Sequence, residues 1–201
     1  DALLDDAPLL RQRLRDADAG VRRIALIELA ELEDALLLPW LVQALGDPVP
    51  ELRTEAARRL GAWEHEDSVR ALLDALDDTD AAVRAAAADS LTELQRAESG
   101  RWLLPALDHP RAFVRASALR ALKTLRRPDA LAPALALLGD DDAAVRLEAV
   151  GVLGWIKAAE AVPALARLAL GDAEATVRRA ATGALGAAPE GDARAVDALR
   201  H

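Results

Sequence analysis

A pattern of three residues recurs six times along this chain at nearly constant spacing. It begins with a Val or Leu that is followed by Arg, at Val21-Arg22, Leu52-Arg53, Val83-Arg84, Val114-Arg115, Val145-Arg146 and Val177-Arg178. Ala stands four residues after each Val or Leu, and Leu stands eight residues after it. Successive copies are 31 or 32 residues apart, and a fixed period of this length is typical of stacked structural repeats. The pattern therefore predicts one continuous array rather than a single globular core.

Residues 34–63 illustrate how one repeat is expected to fold. Its first half has Leu residues at helical spacing, and a Gly-Asp-Pro turn then ends this helix. A second helix is expected from about residue 51 to 63, with Leu52, Ala56 and Leu60 on one apolar stripe. The small Ala lets neighbouring helices approach closely. Each repeat is thus predicted to be a helical hairpin whose apolar flank must be covered by the next hairpin.

We therefore predict an all-α fold, a single α-solenoid domain over residues 1–201. About six hairpins are expected, at 7–32, 34–63, 67–96, 100–125, 129–156 and 160–188, followed by a terminal helix at 192–200. Aromatic residues make up only 2% of the chain, too few for a typical β-sandwich. The chain begins without Met, which suggests a fragment of a longer protein.

Asp occurs five residues before the Val or Leu in five of the six repeats, at Asp16, Asp47, Asp78, Asp140 and Asp172. Each Asp could cap the second helix or the turn before it, or pair with an Arg that follows the Val or Leu. The stacked repeats would then align these Asp side chains with Arg22, Arg53, Arg84, Arg115, Arg146 and Arg178 as a structural ladder. Because single exposed ion pairs contribute only about 0–1 kcal/mol, we expect the ladder to set register. Apolar burial should dominate stability.

The pattern D-x4-[VL]-R-x2-A-x3-L-G resembles the HEAT repeat, in the short bacterial form named after phycobilisome lyases. Its clearest copies are residues 140–156 and 172–186. The sequence departs from the pattern at Ala30, Thr92 and Lys123, which replace the Gly after Leu. The resemblance implies a right-handed superhelix whose Val-Arg helices line the concave side. It implies fold far more than function, because one fold hosts many functions.

If the Val-Arg helices line a concave face, the residues beside their core stripe point into it. Most of these are charged or small, but Phe113, Leu147 and Trp155 are large and apolar. An apolar cluster among charges is typical of an interaction hot spot. We therefore predict that Phe113, Leu147 and Trp155, with Arg120 and Glu148 at a charged rim, bind a protein or peptide. The alternative is that Phe113 and Trp155 pack between repeats.

Charge and composition argue against several other classes of function. The net charge is −9, and the charges beside the core stripe are mixed in sign with acidic residues in the majority, which opposes binding to nucleic acid. Cys is absent, so thiolate sites are excluded and a reducing compartment fits. No apolar run is long enough to span a membrane. We therefore predict a cytoplasmic, non-catalytic scaffold with no cofactor, no bound metal and no nucleic-acid or membrane partner.

Two enzyme classes remain as alternatives to the scaffold. A phycobilin-lyase-like enzyme subunit or chaperone is the first, although no residue marks a bilin site. A HEAT-like DNA glycosylase is the weaker alternative. Such enzymes have a Trp and an Asp inside a basic groove, and the candidates here, Trp155 and Asp89, stand two repeats apart. The His65-Glu66 dipeptide resembles the dyads of di-iron deoxyhypusine hydroxylases. A di-iron site needs several converging ligands, and only His109 and His201 remain among the histidines, so we reject an iron site.

Overall fold

The computed structural model describes the backbone of residues 2–32 and 38–187 and the side chains of residues 8–32 and 38–187. The predicted terminal helix at 192–200 lies outside the described residues, as does residue 188. Within the described part there are twelve α-helices, a few short 3-10 helices and no β-strand. The α-helices are α1 (Ala2–Arg13), α2 (Ala19–Glu31), α3 (Leu38–Ala44), α4 (Pro50–Leu60), α5 (Glu66–Ala75), α6 (Ala81–Thr92), α7 (Gly100–Leu103), α8 (Ala112–Thr124), α9 (Leu131–Leu137), α10 (Ala143–Ile156), α11 (Val162–Gly171) and α12 (Ala175–Gly186). The fold is the predicted all-α solenoid of helical hairpins.

The helices group into two compact units, residues 1–95 and residues 96–201. In unit 1 the hairpins are α1–α2, α3–α4 and α5–α6, and the second helices α2, α4 and α6 pack in succession. In unit 2 the second helices α8, α10 and α12 do the same, and α9 and α11 pair with α10 and α12. The single domain over residues 1–201, with its six repeat boundaries, stays a prediction.

The repeated Val or Leu, Ala and Leu positions form the core of each unit, as predicted. The Ala at the second position is fully buried in all six repeats, at Ala25, Ala56, Ala87, Ala118, Ala149 and Ala181. The Leu at the third position is at most 2% exposed in every repeat. At the first position only Val21 is half-buried, and the other five residues are buried. The 31-residue pattern is thus explained by packing between second helices.

The first half of the fourth repeat is less regular than the others. The helix α7 covers only Gly100–Leu103 and continues as a 3-10 helix, Leu104–Asp108. Pro105 contributes to this change, because proline has no N–H to donate to the carbonyl four residues earlier. Gly100 lies nearby, and a Cβ there would be 2.6 Å from Cγ of Arg127, so the Arg127 side chain would have to move.

Candidate interaction surface

An Arg–Asp ladder connects consecutive hairpins within each unit. Arg53 illustrates it: its Nε and Nη2 both donate to the carboxylate of Asp78, each at 2.8 Å, and its Nη1 donates to the carbonyl of Asp47 at 2.9 Å. The guanidinium therefore spans its own turn and the turn of the next hairpin. The same bidentate arrangement joins three further pairs: Arg22–Asp47, Arg115–Asp140 and Arg146–Asp172.

Each ladder Asp also closes its own turn. The Oδ1 of Asp47 accepts the N–H of Val49 at 2.8 Å, and Asp16 accepts the N–H of Asp18 in the same way. Where a second helix has a side-chain N-cap, the cap is a different Asp, two residues after the ladder Asp. These N-cap residues are Asp18, Asp80 and Asp142. Arg84 and Arg178 bond through Nη1 to the carbonyls of Asp78 and Asp172, in their own turns.

The ladder lowers the pKa of its four paired carboxyl groups. For Asp78 and Asp172 the hydrogen bond from arginine is the largest cause of the lowered pKa. For Asp47 and Asp140 burial is the largest influence on the pKa and would raise it. The hydrogen bonds from arginine and from a backbone N–H together outweigh burial, so the pKa of these two carboxyl groups is lowered as well. All four carboxyl groups therefore prefer the ionised form in the folded protein.

The predicted rim residues Arg120 and Glu148 bond to each other between α8 and α10. The carboxylate of Glu148 accepts Nε of Arg120 at 2.9 Å and Nζ of Lys123 at 2.9 Å. The side chain of Glu148 is only 12% exposed, whereas that of Arg120 is 50% exposed. This cluster of ion pairs links α8 to α10, and its more exposed members, Arg120 and Lys123, are positively charged.

Leu147 and Trp155 lie along one line on α10, with Gly151 between them. The three residues are spaced by four positions, so they share a face of the helix. Leu147 and Trp155 are both half-buried. Leu147 and Gly151 also line a shallow groove of about 440 Å³ between α10 and α12, together with Gly and Ala residues of both helices. The approach of the two helices depends on Gly154, because a Cβ there would lie 3.1 Å from Cβ of Ala184.

Phe113 is 44% exposed but does not lie close to Trp155. Phe113 is the second residue of α8. Trp155 lies near the other end of this helix, because the guanidinium carbon of Arg126, two residues beyond that end, is 6.0 Å from the centroid of the Trp155 ring. From Phe113 to the end of α8 at Thr124 the helix rises by roughly 16 Å. Phe113 and Trp155 therefore lie near opposite ends of α8, and the binding role of Phe113, Leu147 and Trp155 stays a prediction. The sequence pattern places them beside the core stripe but does not contain this distance along the helix.

The charge of the chain is concentrated in unit 1, a feature that the sequence argument missed. Residues 1–95 contain 21 acidic and 10 basic residues, a net charge of −11, and residues 96–201 contain 13 acidic and 15 basic residues, a net charge of +2. Counting charge separately in the two halves of the sequence would have revealed this. The overall value of −9 therefore does not describe the surroundings of Trp155.

His65 has a structural role at the start of α5. Its Nδ1 accepts the N–H of Asp67 at 3.2 Å, which makes His65 the N-cap of the helix. Among the described residues there is no group of three or more His, Cys, Asp or Glu side chains that could hold a metal ion. Within the same part of the chain, the helices are too short or too polar to cross a bilayer.

The sequence matches the family model for HEAT repeats over residues 7–92, 69–144, 100–186 and 131–201. The chain belongs to the HEAT-repeat family. No curated protein sequence matches it significantly.

Several solved structures are similar to this HEAT-repeat chain. One is the complex of CpcE and CpcF of phycocyanin lyase from Nostoc sp. PCC7120, at 25% identity and a TM-score of 0.49, with 89% of this chain and 75% of that chain covered. Another is a designed armadillo repeat protein in complex with the peptide (KR)4, at 22% identity and a TM-score of 0.53, covering 90% and 98% of the two chains. An engineered protein is similar at 22% identity and a TM-score of 0.53, covering 89% and 96%. These likenesses concern the fold.

Proposed function

We propose that the protein is a non-catalytic interaction module that holds a protein or peptide along the exposed face of α8 and α10. One observation carries this proposal: Leu147 and Trp155 flank Gly151 on a single face of α10, and Leu147 and Gly151 line an open groove. Trp is among the residue types most frequent in binding hot spots. The exposed ring of Phe113 would extend the contact along α8.

The length of this surface favours an extended partner over a compact ligand. Phe113 and Trp155 lie near opposite ends of α8, roughly 16 Å apart along its axis. An extended peptide advances about 3.3 Å per residue, so roughly five residues would span that distance. A protein partner would present a loop or a helix of similar length.

The charges of unit 2 favour a partner segment with acidic side chains. Arg120 and Lys123 form the outer edge of their cluster with Glu148, and the side chain of Arg120 is half exposed. Arg126 places a further guanidinium against the ring of Trp155. The net charge of +2 on this unit does not repel an acidic segment.

The proposal is tested by affinity capture with the wild-type chain and the Phe113→Ala/Trp155→Ala double variant, followed by calorimetry with the purified partner. We expect a partner that the wild type retains and the double variant loses. Leu170→Ala is the matched control, because Leu170 is a 61% exposed apolar residue on α11. That variant should retain the partner.

A stability measurement separates binding from packing. If the double variant keeps every partner but unfolds at a much lower temperature than the wild type, Phe113 and Trp155 serve packing and the proposal is wrong. The single variant Phe113→Glu changes an exposed side chain and reports on binding with little effect on folding. A new absorbance band on addition of a bilin would instead favour the lyase-like alternative.

A further inference from the structure

Unit 1 contains a cavity of about 530 Å³ between its first two hairpins, well away in sequence from the surface of α8 and α10. Its walls come from the end of α1, from α2, from α3 and from the start of α4. The floor is apolar, with Leu14, Leu26 and Leu52. The volume lies within the range of about 300–1,000 Å³ that is usual for small-molecule sites.

Three arginines line this cavity, although unit 1 is strongly acidic. Arg11, Arg15 and Arg22 are three of only ten basic residues in residues 1–95. The cavity also has two carboxylates, Asp16 and Asp47, so the formal charge of its lining is +1. The surrounding unit has a net charge of −11. A local positive charge in an acidic unit selects for an anion at this place.

Two of the three guanidinium groups keep their donors available. Arg22 uses Nε and Nη2 on Asp47 and Nη1 on the carbonyl of Asp16, so it belongs to the ladder. Arg11 and Arg15 have no carboxylate partner among the described residues.

Arg11 and Arg15 are also four residues apart, near and just beyond the end of α1. Both guanidinium groups carry a positive charge, so they repel each other. An anion bound between them would remove that repulsion.

The position of Arg11 suits an anion. Its guanidinium carbon lies 4.8 Å from the centroid of the Trp40 ring, which also lines the cavity. A guanidinium has five N–H donors, and the contact with one ring face leaves donors for a further partner. Arg11 can therefore donate to a carboxylate while Trp40 offers an apolar wall to the body of the same molecule.

We propose that this cavity binds an organic carboxylate with an apolar body. The carboxylate would lie between Arg11 and Arg15, and the apolar part would contact Trp40 and the leucine floor. A free small acid and the C-terminal carboxylate of a peptide present the same chemistry. This site is separate from the proposed partner surface in unit 2, so either proposal can fail alone.

The test is a titration followed by the indole N–H signals of the four Trp residues in two-dimensional NMR spectra. The probes are 3-phenylpropionate, its uncharged amide, and a short peptide that ends in a phenylalanine carboxylate. The Trp40→Phe variant identifies the signal of Trp40. We expect one or both carboxylates to shift that signal, and the amide to bind at least tenfold more weakly. The shift produced by each of the two acids distinguishes a small-acid site from a peptide C-terminus site.

Variants of the two arginines decide whether they form the site. Arg11→Gln and Arg15→Gln are each expected to weaken binding at least fivefold, and added salt should weaken it further. Arg23→Gln is the matched control, because Arg23 is an exposed arginine of α2 outside the cavity. The proposal is overturned if neither acid moves the Trp40 signal at millimolar concentration, if the amide binds equally well, or if both arginine variants bind like the control.

Discussion

A single ladder arginine satisfies hydrogen-bond acceptors on two hairpins at once. Arg115 donates Nε and Nη2 to Asp140 and Nη1 to the carbonyl of His109, all at 2.7–2.8 Å. The side chains of Arg115 and Asp140 are only 15% and 7% exposed. A bidentate pair in this environment is geometrically more demanding than an exposed ion pair.

Replacing one ladder carboxylate should therefore destabilise the fold more than replacing its exposed neighbour. We expect Asp140→Asn to lower the free energy of unfolding by about 1–2 kcal/mol, since a charged hydrogen-bond acceptor is lost. Asp141→Asn removes the same charge from an exposed side chain and should change it by less than about 0.5 kcal/mol. Urea unfolding followed by circular dichroism measures both. Equal effects of the two variants would contradict a specific role for the ladder.

The residue types of the ladder were predictable from the sequence, but their pairing was not. The repeated Asp and Arg suggested a ladder, and the sequence left open which Arg meets which Asp. The structure pairs four of the six arginines with the Asp 25 or 26 residues later, because consecutive second helices stack side by side. After Arg84 that position is His109. The surface residues show a similar limit: the sequence placed Phe113 and Trp155 beside the core stripe without revealing their separation along α8.

At the scale of the helices, sequence patterns contain neither the exact helix ends nor the close contacts between helices. The second helix of residues 34–63 was expected to reach about residue 63, but α4 ends at Leu60. The next residue, Gly61, faces α6 so closely that a Cβ would lie 2.8 Å from Cβ of Ser90. By contrast, a Cβ at Gly183 on α12 would meet no atom of the described residues within 4 Å.

These two glycines should respond in opposite directions to the same substitution. Gly61→Ala is expected to destabilise the protein by about 1–3 kcal/mol, because the added methyl group overpacks the contact of α4 with α6. Gly183→Ala is expected to stabilise it by up to about 1 kcal/mol, because alanine has the higher helix propensity and no neighbour is displaced. Thermal unfolding of both variants measures the contrast. A stabilised Gly61→Ala protein would show that α6 can shift without cost.

The end of α10 offers a second substitution at this scale. Lys157 follows the helix with φ of 56°, in the left-handed region where residues with a Cβ are disfavoured. Lys157→Gly should raise the free energy of unfolding by about 0.5–1 kcal/mol. Lys157→Ala removes the same charge and keeps the Cβ, so it serves as the control in the same urea titration. A gain of equal size in both variants would assign the effect to charge instead of backbone conformation.

Across the whole molecule, the ladder carboxyl groups link stability to pH. The four aspartates that pair in the ladder, Asp47, Asp78, Asp140 and Asp172, each have a lowered pKa. A carboxyl group whose pKa is lower in the folded state contributes stability that is fully present above its unfolded pKa, about 3.9. That contribution is lost as the pH falls through the lowered pKa of the folded state.

The protein should therefore lose stability between roughly pH 4 and the lowered pKa values of these aspartates. We expect the urea midpoint to fall steeply on acidification in this range and to change little between pH 6 and pH 8. The Asp78→Asn/Asp140→Asn double variant should have a lower urea midpoint than the wild type at neutral pH, and its midpoint should fall less steeply on acidification. An acid profile that is identical in the variant and the wild type would exclude the ladder as its source.

The ladder also bears on how an array of this kind can change its length. Every hairpin except the fourth, which has His109 in place of the Asp, carries both residues of the ladder: an arginine for the hairpin that follows and an aspartate for the hairpin that precedes. A duplicated stretch of 31 residues, the interval between copies, would arrive with both residues already in place. Whole hairpins could therefore be added or removed, in evolution or by protein engineering, without new residues for the contact between hairpins.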